Sequence, residues 1–156
     1  MKTLLIGIGN PGRRDDGLGP ALVERLSGSR SPERAIVKTA EGSADAFWAY
    51  QLNVEDASLV REYDRIIFVD AAVEGTAPAA LNPLEPAASI AFTTHEMSPA
   101  SVLALGEELY GPMPEGFLLS IRGFSWDIAE GLTDEAARNL DAARLILDKF
   151  LQTILR

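Results

Sequence analysis

The sequence predicts a three-layer α/β fold. Residues 3–8 and 65–70 are short apolar runs of the kind expected for strands buried on both faces, and the second is rich in β-branched and aromatic side chains. Helical patterns alternate with such runs along the chain, which is typical of sheets covered by helices. With 156 residues, the chain is long enough for a substantial core, so we expect a single domain over residues 1–156.

The first unit is a strand, a glycine-rich loop and a helix. The strand at residues 3–8 is followed by a loop at residues 9–17. Pro20 is compatible with the helix because it falls in the first turn, and polar residues 27–33 form the next connection. Three leucines at helical spacing predict the helix itself: Leu18, Leu22 and Leu26.

The middle of the chain is less regular. Residues 35–37 and 47–50 are candidate strands separated by a predicted turn at residues 41–43, and Asn53 is a candidate N-cap of a short helix running through Val60. After the strand at residues 65–70, three prolines predict a loop over residues 74–88 with at most one edge strand near residues 80–84. A short apolar piece at residues 89–92 then leads to Thr93-Thr94-His95.

Two helices and a strand complete the chain. Ser98 before Pro99 predicts a capped helix that ends at Gly111, and a strand is expected at residues 117–121. After a loop at residues 123–131, Thr133 opens the last helix, whose first turn carries carboxylates that suit the helix dipole. The expected core positions are Val102, Leu105 and Leu109 in the first helix, and Leu140, Ala143, Leu147, Phe150, Leu151 and Ile154 in the last.

The composition excludes several kinds of site. The chain has no cysteine, which excludes disulfides, thiolate zinc sites, iron–sulfur clusters and a cysteine nucleophile, and its one histidine excludes a multi-histidine metal cage. A net charge of -9 argues against a nucleic-acid partner. No targeting segment and no apolar stretch of membrane-spanning length is recognisable, so we expect a cytoplasmic protein with no membrane partner.

The amino-acid sequence of the first loop matches a dinucleotide-binding motif. Gly7 to Gly12 fits G-x-G-x-x-G after a strand, the pattern that brings the backbone close to a pyrophosphate. Asp15 and Asp16 would repel that phosphate, so a tight strand-to-helix turn is the better interpretation. We expect no resident cofactor at this loop.

Three side chains form a more specific candidate site. Asp16 follows the first strand, Asp70 ends the strand at residues 65–70, and His95 follows an apolar segment. Loops at the carboxyl ends of parallel strands meet in the ligand crevice of such sheets, so the three side chains can converge there. Two carboxylates and one imidazole suit a divalent transition metal such as nickel or zinc. Each residue also has a purely structural interpretation, as a helix cap or a strand-end hydrogen-bond acceptor.

Other catalytic templates are absent. The sequence has no G-x-S-x-G elbow, and no serine stands in a recognisable nucleophile context. Arg13 and Arg14 are able to contact a substrate carboxylate or the neighbouring aspartates, and we favour local ion pairs, which contribute little stability.

Several stretches, taken together and in order, resemble the hydrogenase maturation endopeptidases. The first is Leu5 to Asn10 with Arg14 to Gly19, and the second is Ile66 to Ala71. The run Thr93 to Ser98 matches the position of the family's histidine motif, and Ile121 to Phe124 with Gly131 to Thr133 resembles its late strand and last helix start. The similarity spans nearly the whole chain.

This resemblance implies both a fold and an activity. The family has a three-layer α/β/α sandwich with a mixed, mostly parallel five-stranded sheet, and it removes a C-terminal extension from the large-subunit precursor of a nickel–iron hydrogenase after nickel insertion. Two acidic residues and one histidine contact that nickel, and their matches here are Asp16, Asp70 and His95. Nickel would then be carried by the substrate, with zinc or cadmium able to stand in for it, and no permanent cofactor is implied. The three residues are also the candidates for catalysis, although the motif does not assign the general base.

Two departures and two alternatives accompany the resemblance. Some family members carry Glu at the position of Asp16, and the family's Gly-Thr motif is not clear here, so Gln51 is a weak candidate for that place. The loop beginning at Gly7 also resembles peptidyl-tRNA hydrolases, but their early histidine is missing and the acidity of the chain disfavours tRNA. A noncatalytic chaperone that senses nickel on the large subunit remains the alternative to a protease.

Overall fold

A computed structural model describes residues 1–39, 42–90, 92–93 and 96–154. Across these residues the chain alternates strands and helices in the manner predicted. The strands are β1 (Thr3–Ile8), β2 (Ala35–Thr39), β3 (Gly42–Ala49), β4 (Arg65–Ala72), β5 (Ala79–Leu84), β6 (Phe92–Thr93), β7 (Glu96–Met97) and β8 (Glu115–Arg122). The helices are α1 (Leu18–Ser27), α2 (Glu55–Val60), α3 (Pro99–Tyr110) and α4 (Asp134–Ile154), and a 3-10 helical turn (Arg14–Gly17) precedes α1.

The main sheet is mixed and mostly parallel. Its strand order is β2-β3-β1-β4-β8-β5. The four inner strands are parallel, whereas β2 and β5 pair antiparallel at the two edges. The strands β6 and β7 form a separate two-stranded antiparallel sheet. The sheet therefore contains six strands within the described part of the chain, one more than expected.

Alternation along the inner strands produces two cores, one on each face of the sheet. In β1, Leu5 packs with α1 and α4, whereas Leu4 and Ile6 pack with α2 and α3. Successive side chains of a strand point to opposite faces, so a continuous apolar run serves both cores. The three-layer arrangement is thus confirmed, and the last helix uses the predicted stripe: Leu140, Ala143, Leu147 and Leu151 are buried, and Phe150 is partly buried.

Capping residues correctly predicted where two helices begin. The Ser98 hydroxyl accepts a hydrogen bond from the Ser101 amide at 3.1 Å, with Pro99 at the first helical position of α3. The Thr133 hydroxyl likewise accepts from the Ala136 amide at 3.2 Å, at the start of α4. The edge strand expected near residues 80–84 is β5.

Two local predictions in the middle of the chain were wrong. Gly42 and Ser43 lie in β3 instead of a turn, because they pair with β2; Glu41 lies outside the described residues. Asn53 does not cap α2: its amide donates to Asp56 at 2.7 Å, and Val54 is the N-cap.

Of the three core positions predicted for α3, Val102 and Leu105 contribute to the core, whereas Leu109 does not. Leu109 is 59% exposed, whereas Val102, Leu103 and Gly106 are buried. Gly106 faces the side chain of Met113, which would clash with any Cβ at this position, so the helix packs closely there. Among the described residues, no helix is both long and apolar enough to cross a membrane.

Candidate functional site

The loops that follow the four parallel strands are joined by backbone hydrogen bonds. Gly9 N–H, after β1, donates to the Ala49 carbonyl of β3 at 3.0 Å. Arg14 N–H donates to the Ala129 carbonyl in the loop after β8 at 2.9 Å, and Gly123 N–H donates to the Ala72 carbonyl of β4 at 2.9 Å. The carboxyl ends of all four strands therefore form one connected surface, which is where open α/β sheets bind ligands.

Glycines in the first loop allow close backbone packing. Gly9 has φ +142°, and a Cβ there would lie 1.9 Å from the Asp16 carbonyl oxygen. A Cβ at Gly7 would lie 2.4 Å from the Gly19 carbonyl oxygen, and one at Gly19 would lie 2.5 Å from that of Val69. The tight strand-to-helix turn is confirmed, and these glycines let the turn and α1 pack against β1 and β4.

Asp16 lies in the 3-10 turn with one carboxylate oxygen engaged. Its Oδ2 accepts from the Asn10 amide at 2.8 Å, while Asn10 Oδ1 accepts from the Gly12 amide at 2.8 Å. Within the described residues, Asp16 Oδ1 has no hydrogen-bond or ion-pair partner. The side chain is half-buried, so it presents a fixed oxygen at the carboxyl end of β1.

Asp70 lies one strand away. It belongs to β4, the parallel neighbour of β1, and directly follows Val69, which pairs with Gly7. Its Oδ1 accepts from the Ala71 amide at 2.8 Å, and the side chain is half-buried. Asp16 and Asp70 therefore occupy the carboxyl ends of adjacent strands, as their sequence positions predict.

The third predicted residue, His95, lies outside the described residues. The nearest described neighbours on each side, Thr93 and Glu96, pair in the β6–β7 sheet. Met97 N–H donates to the Leu52 carbonyl at 3.3 Å, beside the loop that follows β3. Among the described residues, no three acidic or histidine side chains form a cluster able to hold a metal ion, so the complete three-residue site stays a prediction.

Asp15, the neighbour of Asp16, has a structural role that the sequence did not indicate. It is fully buried, and its Oδ2 accepts from the amides of Phe124 at 2.7 Å and Ser125 at 3.1 Å and from the Thr133 hydroxyl at 2.8 Å. Its Oδ1 accepts from the Thr133 amide at 2.8 Å. One carboxylate thus joins the first loop to the loop after β8 and to the start of α4.

The same hydrogen bonds determine the ionisation of Asp15. Burial alone would raise the pKa of its carboxyl, but the bonds from Thr133, Phe124 and Ser125 outweigh this effect and lower the pKa below its ordinary value of 3.8. Asp15 is therefore charged at neutral pH and acts as an acceptor that holds the turn carrying Asp16.

Neither Arg13 nor Arg14 forms the expected local ion pair. Arg13 Nη2 donates to the Trp126 carbonyl at 3.1 Å. Arg14 has no side-chain hydrogen bond or ion pair with any described residue. The Asp15 carboxylate accepts hydrogen bonds from residues after β8, and Asp16 Oδ2 accepts from the Asn10 backbone amide. Gln51 is half-buried next to Leu52, in the loop after β3.

Comparison with solved structures identifies the fold. The hydrogenase maturating endopeptidase HybD from E. coli superposes with a TM-score of 0.70 at 20% identity, covering 98% of this chain and 93% of that one. The NiFe hydrogenase maturation protease HycI from Thermococcus kodakarensis gives 0.67 at 20% identity, covering 97% and 92%. The hydrogenase 2 maturation peptidase from a Thaumarchaeota archaeon gives 0.61 at 20% identity, covering 96% and 98%.

The two sequence comparisons gave no match, in contrast to the comparison of structures. No protein-family model matches the chain. No curated protein matches it significantly either. The resemblance suggested by the ordered motifs is confirmed at the level of the fold, since the chain has the three-layer architecture of these maturation proteases over nearly its full length.

Proposed function

We propose that the protein is an endopeptidase that removes the C-terminal extension of a nickel–iron hydrogenase large-subunit precursor after nickel has been inserted. One observation carries the proposal: Asp16 and Asp70 stand at the carboxyl ends of adjacent strands in a chain whose fold matches that of hydrogenase maturation proteases over 98% of its length. A cytoplasmic location and the precursor as partner belong to the same proposal.

The chemistry of the site supports recognition of a substrate-borne metal. Asp16 Oδ1 is an oxygen without a partner among the described residues, on a turn fixed by Asp15 and Asn10. Carboxylate oxygen is a ligand for nickel or zinc, and an imidazole from His95 would complete a set with one nitrogen. The metal would arrive with the precursor, so the protein needs no permanent metal of its own.

In this proposal the residues position the precursor for hydrolysis. Water adds to the carbonyl carbon of the scissile peptide, the C–N bond breaks, and a proton passes to the departing amine. Asp16, Asp70 and His95 are the candidate groups, and no general base is assigned among them. The metal contact would ensure that only a precursor with its nickel in place is held at the site.

Mass spectrometry of the processed precursor tests the activity. The purified protein is incubated with the same large-subunit precursor in nickel-loaded and nickel-free forms. We expect the loaded precursor to lose the mass of its C-terminal extension and the nickel-free precursor to stay intact. If the loaded precursor forms a stable complex but keeps its extension, the protein is a nickel-sensing chaperone and the protease proposal is wrong.

Substitutions at the candidate contacts test the site. We expect Asp16→Ala and His95→Ala each to slow processing at least about 100-fold, since even removal of groups around a metal contact costs 10- to 100-fold. Asp127→Asn is the matched control, because it neutralises an exposed carboxylate in the loop after β8. Wild-type rates for both Asp16→Ala and His95→Ala would show that the three-residue site is wrong.

A further inference from the structure

A groove adjoins the turn that carries Asp16. It has a volume of about 540 Å³, within the range of ligand sites, and it runs from the 3-10 turn along the start of α1. Gly17, next to Asp16, lines its near end, and Leu132 lines the side formed by the loop after β8. The groove is therefore continuous with the candidate site, but none of its features is used in the proposal above.

Arg14, which lines this groove, has an unusual backbone conformation and an unpaired side chain among the described residues. Its φ of +48° makes it the one residue other than glycine with positive φ in the described chain. The left-handed region is unfavourable for a side chain with a Cβ, and such conformations are concentrated at functional sites. Arg14 is half-buried, and its guanidinium has no hydrogen-bond or ion-pair partner among the described residues.

Two aromatic side chains, Trp48 and Tyr50, also line the groove. The rings of Trp48 and Tyr50 pack edge to face, with centroids 5.3 Å apart and an interplanar angle of 78°. Trp48 is held in place because its indole N–H donates to the Arg30 carbonyl at 3.2 Å, whereas Tyr50 is 64% exposed. An exposed aromatic ring beside a fixed one offers an apolar surface for a ligand side chain.

The other charged groups limit the charge of the ligand. Arg30 pairs with Glu24 at 3.0 Å, and Glu130 also lines the groove. The groove therefore holds two arginines and two carboxylates, which disfavours a polyanion such as a nucleotide. Of the two arginines, Arg14 is the one with no ion pair among the described residues, so it is the cation available to a single negative charge on a ligand. A guanidinium binds carboxylates through paired, charge-assisted hydrogen bonds.

We infer that this groove binds a short peptide segment of the precursor that carries one carboxylate, which pairs with Arg14, next to an apolar side chain that packs on Tyr50 and Trp48. This inference rests on the proposed function for the identity of the peptide. It explains why an arginine occupies a backbone conformation that favours glycine. The carboxylate belongs either to an acidic side chain or to the end of the precursor chain, and both present the same chemistry to Arg14.

Binding of small peptides tests the inference without metal or cleavage. Three probes are titrated into the full-length protein: acetyl-Leu-Phe-Glu-amide, its Gln counterpart, and acetyl-Leu-Phe with a free C-terminal carboxylate. The chain has two tryptophans, so the indole N–H signal of Trp48 reports the groove and that of Trp126 serves as the reference. We expect a carboxylate peptide to shift the Trp48 signal and to bind at least about tenfold more tightly than the Gln peptide. Whichever carboxylate peptide binds identifies the source of the charge.

Arg14→Gly is the decisive variant, because glycine accepts a φ of +48° and the fold is expected to be retained. The substitution should weaken binding of the carboxylate peptide at least about tenfold, and the Tm of the variant should be unchanged or higher. Arg30→Ala is the matched control, since it removes one positive charge from the same groove but from a group already paired with Glu24, and it should change affinity less than about threefold.

The outcomes separate this inference from the proposed function. Binding of the Gln peptide as tight as that of the tighter carboxylate peptide, equal affinity of that carboxylate peptide for wild type and Arg14→Gly, or no Trp48 shift with any peptide would each overturn the groove assignment. If the nickel-loaded precursor is processed, Arg14→Gly should raise KM with little change in kcat, and an unchanged KM would also overturn it. A protein that binds the carboxylate peptides but does not cut the precursor would contradict only the protease proposal.

Discussion

The two sides of the Arg14–Gly17 turn carry neighbouring aspartates in opposite situations. On the inner side, Asp15 is fully buried, and its carboxylate accepts four hydrogen bonds from residues 124, 125 and 133. On the outer side, Asp16 is half-buried and accepts one, from Asn10. Two identical side chains, one position apart, are therefore suited to different tasks.

The contrast indicates how the site is built. Asp15 satisfies backbone amides of a distant loop and holds that loop against the turn, which leaves Asp16 fixed but with an oxygen available to a ligand. A buried carboxylate that accepts several hydrogen bonds stabilises a structure, whereas a partly satisfied one at a strand end suits binding. We therefore expect substitutions at the two positions to affect different measurements.

The largest expected effect on stability is at Asp15. Asp15→Asn places an amide group where four donors converge, so buried donors lose an acceptor and face another donor. We expect the free energy of unfolding to fall by at least about 3 kcal/mol, measured by urea denaturation. A loss below about 1 kcal/mol would show that the interactions of Asp15 are not needed to hold the two loops together.

Lowering the pH should reproduce part of this effect in the wild-type protein. The pKa of Asp15 is lowered in the folded state from its ordinary value of 3.8, so its contribution is present above that value and is lost as the pH falls through the folded-state pKa. The difference in unfolding free energy between wild type and Asp15→Asn should therefore shrink at acidic pH. The ordinary pKa of an aspartate is about 4. If the difference in unfolding free energy between the two proteins stays constant or grows in urea titrations below about that pH, the stabilising role of the Asp15 carboxylate is wrong.

The smallest expected effect on stability is at Asp16. Asp16→Asn keeps an oxygen that accepts from the Asn10 amide, and the side chain is only half-buried. We expect the free energy of unfolding to change by less than about 1 kcal/mol in the same urea titration. If Asp16→Asn lowers the free energy of unfolding as much as Asp15→Asn does, both carboxylates are structural and the proposed difference between them is wrong.

Much of the fold could be predicted because its signals are local. The apolar run of β1, the Ser98-Pro99 cap of α3 and the Thr133 cap of α4 each depend on a few adjacent residues. The placement of Asp16 and Asp70 on adjacent strands could be predicted because strand ends of a parallel sheet meet at one edge, which needs no knowledge of distant contacts.

The features that sequence reasoning missed depend on distant partners. The partners of Asp15 lie 109 to 118 residues away, so nothing beside it in the sequence distinguishes it from Asp16. Gly106 is buried in α3 next to Met113, which comes after the helix, whereas Leu109 is exposed. The early start of β3 follows from its pairing with β2. The conformation of Arg14 is likewise set by the loop after β8, through its bond to Ala129.

The most direct test measures the processing rate of nickel-loaded precursor by wild type, Asp15→Asn and Asp16→Asn, with each rate divided by the folded fraction from urea denaturation. We expect Asp16→Asn to slow processing at least about 100-fold while it stays folded. We expect Asp15→Asn to lose stability but to keep, per folded molecule, more of its rate than Asp16→Asn does. A wild-type rate for folded Asp16→Asn would contradict the proposed role of Asp16.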